Sequence, residues 1–361
     1  MITLKTNLKS VSKIVHFSDV HVRILARHQE YREVFEKLYK SINEVKNNST
    51  IIVICGDIMH SKLDMSPELI MLSSEFFTKL SEICPLVIIP GDHDLQLNNK
   101  NRLDALSPII SNLKNERIYY LKEGGVYKFA NITLVHMSIF DEPENYIKAK
   151  DINSNIKIAL FHGVVSQAKN NFGYIFSNEK ININTFKDFD ITLLGDIHLV
   201  QDLSKNIKYS GSLIAQSHAE TNKHGYVLWD LNKKISEFIE IENDYGFHTI
   251  EIKNNIIPDL KEISKKPRLR LNIYNSDNTK INEIISEIKQ KYSPIELTIN
   301  KIYDSKNANK DTVDKINVND LQNVEYQNEL IEEFLNKKYK LNNGTISKIK
   351  QLNIEIVPLF N

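Results

Sequence analysis

The chain has 361 residues, 41% hydrophobic and 25% charged, enough for one large core and a smaller second one. Its 46 basic and 46 acidic residues cancel, so bulk charge favours no polyanionic partner and any basic footprint must be local. Two cysteines, Cys55 and Cys84, are too few for a disulfide framework, and the start "MITLKTNLKSVSK" has no apolar signal core. With no apolar run near the ~18 residues of a membrane span, an intracellular chain in a reducing compartment is expected.

Short apolar runs dominate the first 245 residues. "KIVHF" (13–17) reads as a strand, and "YREVFEKLYKSINEV" after it as a helix with Val34, Phe35, Leu38, Ile42 and Val45 on one face. "IIVIC" (51–55) is a second strand, followed by the helical "SPELIMLSSEFFTKLSEI", with Pro67 suited to its first turn. "LVIIP" (86–90), "ITLVHM" (132–137), "KIALF" (157–161) and "ITLLG" (191–195) continue the strand series. Runs this rich in Ile and Val suit strands buried on both faces, and their alternation with helices predicts a layered α/β fold. "KYSGS", "GYVLWD" and "FIEIE" then come without helices between them, which predicts a more antiparallel second half.

Near residue 245 the pattern changes. "PRLRLNIYN" (267–275) reads as a strand, Ile281, Ile284, Ile285 and Ile288 as one face of a helix, and "IELTINKIY" (295–303) as another strand. This small βαβ unit is too thin to stand alone and is expected to cap the first domain. The division is therefore 1–245, a cap at 246–303, a polar linker at 304–318 and amphipathic helices at 319–361. The first of these helices carries Leu321, Val324, Ile331, Phe334 and Leu335 on an apolar face, the kind that docks on a partner or on the parent domain.

The residues just past each strand carry the chemistry. After "KIVHF" come Asp19 and His21; after "IIVIC", Gly56, Asp57 and His60; after "LVIIP", Gly91, Asp92, His93 and Asp94. After "KIALF" comes His162, and after "ITLL" come Gly195, Asp196 and His198. A lone Asp after a strand is more often a helix cap, and a lone His a satisfied core residue. Five strands each delivering such a group to one sheet edge is a different matter, because unpaired carboxylates packed there repel unless a cation holds them. Mixed Asp and His ligands suit two divalent ions about 3.5–4 Å apart sharing one carboxylate.

The order D-x-H, G-D-x-x-H, G-D-H-D, H, G-D-x-H resembles the calcineurin-like metallophosphoesterases, and most closely their SbcD and meiotic-recombination-type DNA repair nucleases, phage and viral counterparts included. "YSGSLIAQSHAETNKHGYVLWD" (209–230) resembles that branch's closing sheet motif. The resemblance covers nearly the whole chain, and implies a layered β-sandwich flanked by helices, a small βαβ capping domain and C-terminal helices. It implies one metal ion on Asp19, His21, Asp57 and His198, and a second on Asp57, Asp92, His162 and Asp196. The ions would be Mn²⁺ or Mg²⁺. His93 would protonate or stabilise the leaving oxygen, with Asp94 orienting it, and His60 would contact the phosphate. DNA, an SbcC-type coiled-coil ATPase bound through 319–353, and a second copy of the chain are the implied partners.

Two positions depart from that pattern: Asp92 stands where the family usually has Asn, and Asp196 where it usually has His. Both fall on the second ion. Four carboxylates then formally neutralise two divalent ions, which favours tight binding of oxygen-seeking metals and weakens attraction for a phosphodiester. The alternative is a site drifting towards inactivity. Elsewhere, "KKPRLR" (265–270) could track a DNA backbone or form a solvated strand edge. His28, His136, His218 and His224 match no motif and read as structural or surface, and Trp229 as core. The leading expectation is a two-metal DNA exo/endonuclease subunit for double-strand-break processing. A small-molecule phosphodiesterase or phosphatase on the same fold, and a non-enzymatic scaffold, are the alternatives.

Overall fold

The computed structural model describes residues 1–302 apart from 178–179, 221–222, 259–262 and 277. The expected linker at 304–318 and helices at 319–361 lie outside the described residues. The chain opens with a short strand, β1 (Ile2–Thr3), then β2 (Lys13–Phe17) leading into helix α1 (His28–Val45). Strand β3 (Thr50–Cys55), helix α2 (Pro67–Ile83) and strand β4 (Leu86–Ile89) repeat that pattern. Helix α3 (Ser107–Leu113) and strand β5 (Ile118–Tyr120) complete it. A hairpin of β6 (Gly125–Phe129) and β7 (Ile132–Met137) starts a second sheet. It is extended by β8 (Lys157–His162), β9 (Ile191–Gly195), β10 (Gln201–Ser204) and β11 (Ile207–Tyr209). Strands β12 (Gly225–Asp230) and β13 (Ile235–Glu240) then return to the first sheet.

The first sheet runs β13-β12-β2-β3-β4-β5 and the second β1-β6-β7-β8-β9-β11-β10. Strands β2 to β5 are mutually parallel, as are β7, β8, β9 and β11, while β12 is antiparallel to both β2 and β13. The antiparallel character expected of the second half is thus confined to hairpins and to β12. Alternation along β3 explains the layering: Ile51, Val53 and Cys55 face the second sheet, meeting Leu134, Leu160 and Leu193. Ile52 and Ile54 face α1 and α2 on the other side. Every residue of β3 is buried, and after Thr50 none is polar, as a strand covered on both faces requires.

Helix α1 buries Val34, Phe35, Leu38 and Ile42, as its periodicity predicts, and Phe35 stacks on Phe76 of α2 with ring centroids 3.9 Å apart. Ser66 caps α2 by accepting from the Leu69 amide at 3.2 Å, and Pro67 occupies its first turn.

The cap contains one strand more than the expected βαβ unit. Strand β14 (Tyr245–Ile252) pairs in parallel with β15 (Lys266–Tyr274), then come helix α4 (Asn278–Tyr292) and strand β16 (Glu296–Ile302), in sheet order β14-β15-β16. Ile250, Ile252, Leu269, Leu271 and Ile273 pack against Ile281, Ile284 and Ile288 in a separate small core. The basic "KKPRLR" stretch is neither an edge nor a free cationic track. It runs along the central strand, and three of its four cations pair with acids: Lys265 with Asp244 at 2.9 Å, Lys266 with Glu33 at 2.9 Å, and buried Arg268 with Glu30 at 2.8 Å and Glu296 at 3.0 Å. Contacts bind Met1–Asn300 into one compact unit, and a second unit begins at Lys301.

Candidate metal centre

The ionisable groups sit at the C-terminal ends of five strands, but not at one sheet's edge as the sequence suggests. Asp19 and His21 follow β2, Asp57 and His60 follow β3, and Asp92 and His93 follow β4, all in the first sheet. His162 ends β8, and Asp196 and His198 follow β9, in the second sheet. The hairpin of β6 and β7 moves the chain across before β8 begins, so the site is a seam where two stacked sheets end together. His162 Nδ1 bonds the Cys55 carbonyl at 2.7 Å and His16 Nε2 the Leu194 carbonyl at 3.2 Å, and both bonds cross that seam.

The backbone at the ligand positions is bent into a conformation that L residues seldom hold. Asp19, His21, Asp57 and Asp196 all have positive φ, at 54°, 49°, 55° and 96°. Such angles cost about 1–3 kcal/mol each and persist only where surrounding structure over-determines them. Here the bends let the loops bond one another: the Asp19 amide reaches the Gly56 carbonyl and the His21 amide the Asp57 carbonyl, both at 3.0 Å. Gly91 and Gly195 are required by close approach, since a Cβ on Gly91 would strike the Asp57 carboxylate and one on Gly195 the Cys55 carbonyl.

All seven expected ligands come together. Asp19, His21 and His198 each offer an atom within 4.8 Å of the others, as do Asp92, His162 and Asp196, and Asp19, Asp57 and His162. Asp57 stands between the groups: Oδ2 faces His21 Nε2 at 3.5 Å, and Oδ1 faces His162 Nε2 at 3.3 Å. Asp92 Oδ1 lies 3.4 Å from the same His162 nitrogen. Each oxygen of one carboxylate thus serves a different imidazole, the disposition a bridging ligand needs.

The electrostatics fit a cation pair. Burial pushes Asp19 up to about 7 and also raises Asp196, beside Asp92. Burial opposes a charge on His162, yet the Asp57 carboxylate lifts it well above the ordinary imidazole range. Burial would also raise Asp57, but His162 draws it below the usual carboxylate range. Protons shared between acids and imidazoles compensate a site that has too many negative groups to stand bare. His162 Nε2 lies between the Asp57 and Asp92 carboxylates, and His21 Nε2 meets His198 Nε2 at 3.0 Å. Nitrogens and carboxylate oxygens converging in this way are what a metal ion binds in place of the shared protons, so the residues fit the divalent metals that the fold's chemistry implies.

Neighbouring groups orient the ligands. His198 Nδ1 pairs with Glu220 Oε1 at 3.0 Å, aiming Nε2 into the site. Against the pull of burial, that carboxylate holds His198 up at about 9. Glu220 is itself fixed by the Ser212 hydroxyl and the Gln216 amide, each at 2.9 Å. His93 Nδ1 bonds the His60 carbonyl at 2.6 Å, and its amide donates to Asp57 Oδ1 at 3.0 Å. Asp94 therefore makes no side-chain bond to His93, contrary to the expected orienting role. Its buried carboxylate instead accepts from the amides of Met59 and Gly91, both at 2.9 Å, and Ile58 at 3.3 Å, tying the β3 loop to the β4 loop. Burial next to Asp57 pushes Asp94 up to about 7.

His60 differs from expectation as well. Its Nε2 lies 2.8 Å from Arg23 Nη1, and a guanidinium can only donate, so Nε2 must be the acceptor and Nδ1 carries the proton. Burial, with Arg23 beside it, lowers His60 to about 4. The ring is neutral at physiological pH.

Glu220 and Arg23 are the functional neighbours that sequence reasoning misses. Glu220 lay inside the 209–230 motif as an acid of unassigned purpose. Arg23 stands two residues after His21, a spacing with no chemical meaning until the loop folds. Of the four histidines read as structural, His136 bonds the Glu123 carbonyl at 3.0 Å and His28 the Arg23 carbonyl at 2.7 Å, and none joins the clusters above.

Three relatives bear on this geometry. Uncharacterized protein R555 of Acanthamoeba polyphaga mimivirus is 44% identical over 302 residues, 80% of this chain but 22% of that protein. This chain thus spans about a fifth of that relative's length. The provisionally named phosphoesterase 244L of Invertebrate iridescent virus 6 is 23% identical over 70% of this chain and 86% of its own. The SbcD component of the SbcCD nuclease of Staphylococcus epidermidis is 23% identical over 81% of this chain and 86% of its own. Among the described residues, no helix is long and apolar enough to cross a membrane. The calcineurin-like phosphoesterase family matches residues 12–247, the span that holds both sheets apart from β1 and every ligand described above, and the chain belongs to that family.

Proposed function

We propose that this chain is a two-metal DNA exo/endonuclease subunit, working with an SbcC-type coiled-coil ATPase bound through residues 319–353. The supporting observation is the similarity to an SbcD component, which covers 81% of this chain and therefore extends beyond the family's 12–247 core. A stand-alone phosphatase needs no such cap.

Asp19, His21, Asp57 and His198 would hold one ion, and Asp57, Asp92, His162 and Asp196 the other, with Mn²⁺ or Mg²⁺ favoured by the four carboxylates. When bound, such a pair supplies Lewis acidity towards a phosphoryl oxygen and a water acidified towards neutral pKa. The protein's own contribution centres on His93. With Nδ1–H donated to the His60 carbonyl, Nε2 is left to face the site. As water attacks phosphorus and the P–O bond to the leaving group breaks, a proton on Nε2 would pass to the departing alkoxide, and the proton lost by the attacking water would go to the ring or to solvent. Asp94 keeps the two loops in register. His60, neutral and accepting from Arg23, acts by holding that guanidinium in place, and its other nitrogen, Nδ1, is buried.

The test is cleavage of duplex and single-stranded DNA, with a small diester and a monoester as comparisons, in Mn²⁺ and in Mg²⁺. Metal-dependent DNA cleavage stimulated by the ATPase supports the reading. Turnover of the small esters with no cleavage of either DNA would replace it with a small-molecule phosphoesterase. Truncation after residue 310 should spare the small diester and abolish ATP-stimulated DNA cleavage.

A further inference from the structure

We infer that Arg23 is the phosphate anchor of this site, gripping a non-bridging oxygen of the substrate phosphate. The assignment rests on the phosphoester hydrolysis proposed above and names the group that makes up the charge the metal ligands remove. Four aspartates against two divalent ions leave no formal excess charge to attract a phosphodiester, so a cation must come from elsewhere.

Arg23 meets that requirement. It is half-buried at the rim of the centre, Nη1 2.8 Å from His60 Nε2 and Nη2 3.4 Å from Gln216 Oε1. Both partners are neutral acceptors. Among the described residues it forms no ion pair, whereas Arg27 and Arg268 converge on Glu30 at 2.8 Å each. A guanidinium has five donors in a fixed fork, so one held by two neutral atoms keeps both its charge and its remaining donors. Its place is set by His60, which has a ring nitrogen within 4.8 Å of those of His21 and His93. Arg23 thus lies one imidazole from a metal ligand and from the proposed acid. A charge-assisted, forked bond to phosphate is the interaction such a residue makes best.

The experiment compares wild type, Arg23→Gln and Arg23→Lys, each loaded with Mn²⁺, by titrating inorganic phosphate calorimetrically and by turnover of bis(p-nitrophenyl) phosphate. Arg23→Gln should keep two ions per chain and bind phosphate about 10- to 100-fold more weakly. Arg23→Lys, with charge but no fork, should fall between. Unchanged phosphate affinity in Arg23→Gln overturns the assignment, and so does loss of metal occupancy, which would make Arg23 a prop for His21. If wild type turns over no ester but Arg23→Gln still loses phosphate affinity, the proposed hydrolysis fails and the anchor stands.

Discussion

Replacing Glu220 with Gln tests whether a carboxylate behind a ligand governs this centre. The side chain keeps its shape and one acceptor but loses the charge 3.0 Å from His198 Nδ1. Against burial, that carboxylate is the largest of the influences, with Asp19 and Asp57 behind it, that lift His198 to about 9. The sign comes from the raised value: below it the imidazole carries a proton that a metal must displace, and above it the proton is gone. At pH 7 the wild type stands about two pH units below that value, a penalty of roughly 2.7 kcal/mol on metal binding. In Glu220→Gln the imidazole returns towards its ordinary value near 6.5 and the penalty nearly vanishes. At pH 9 the penalty is small in both proteins, and only the loss of ligand basicity and orientation remains, about 10–100-fold in affinity. Anaerobic Mn²⁺ titration calorimetry should therefore show a large loss at pH 9 and a small or absent one at pH 7. In paired buffers of different ionisation enthalpy, the wild type should release close to one extra proton at pH 7. An equal loss at both pH values would refute the linkage and leave Glu220 a mechanical support only.

Three further outcomes are expected. Asp57→Ala should lose both ions, since each of its oxygens faces a different imidazole; two ions retained in anomalous scattering would end its bridging assignment. His93→Ala should keep both ions while the rate drops about 10²–10⁴-fold, and weaker metal binding instead would make His93 a ligand. The double change Asp92→Asn with Asp196→His removes two negative charges from the second ion. Each is worth roughly 4 kcal/mol at ~4 Å and an effective dielectric of about 20, and less for Asp92, which is partly open to solvent. Phosphate should bind the fully loaded variant more tightly and the second ion should need more added metal; an unchanged Mn²⁺ requirement would remove both residues from the metal site.

The central strands and the longer helices were readable because each is a short apolar run or an apolar stripe, whereas α3 and the short or polar strands β1, β5, β6 and β10, and β14 of the cap, were not. Those signals are local and survive in the sequence. The candidate groups were readable as a set: strand ends are where loops converge, and five such ends carrying Asp or His exceed what capping and core packing explain, while their division into ligands and catalytic groups came only from the family resemblance. The division of the ligands between two sheets was not readable, because β4 and β8 look alike as sequences and nothing local says which sheet a strand joins. The partners of long side chains escaped for the same reason. "KKPRLR" presents four cations within six residues, but Glu30 and Glu33, which neutralise two of them, lie over 200 residues earlier. The resemblance implied that Asp94 orients His93, and only the turn geometry shows its carboxylate on three amides instead.

The seam has a thermodynamic meaning beyond chemistry. An ion held by Asp57 from one sheet and His162 from the other is a fastener between two halves that otherwise adhere mainly through apolar contact. Its binding energy is then part of the cohesion of the sandwich: at a thousandfold excess over its dissociation constant, one ion adds about 4 kcal/mol. The dependence runs in both directions. A cavity carved between the sheets at Val53 or Leu160, neither of them a ligand, loosens the fastener and registers as metal leakage, so chelators would become denaturants of such a variant well before they unfold the wild type.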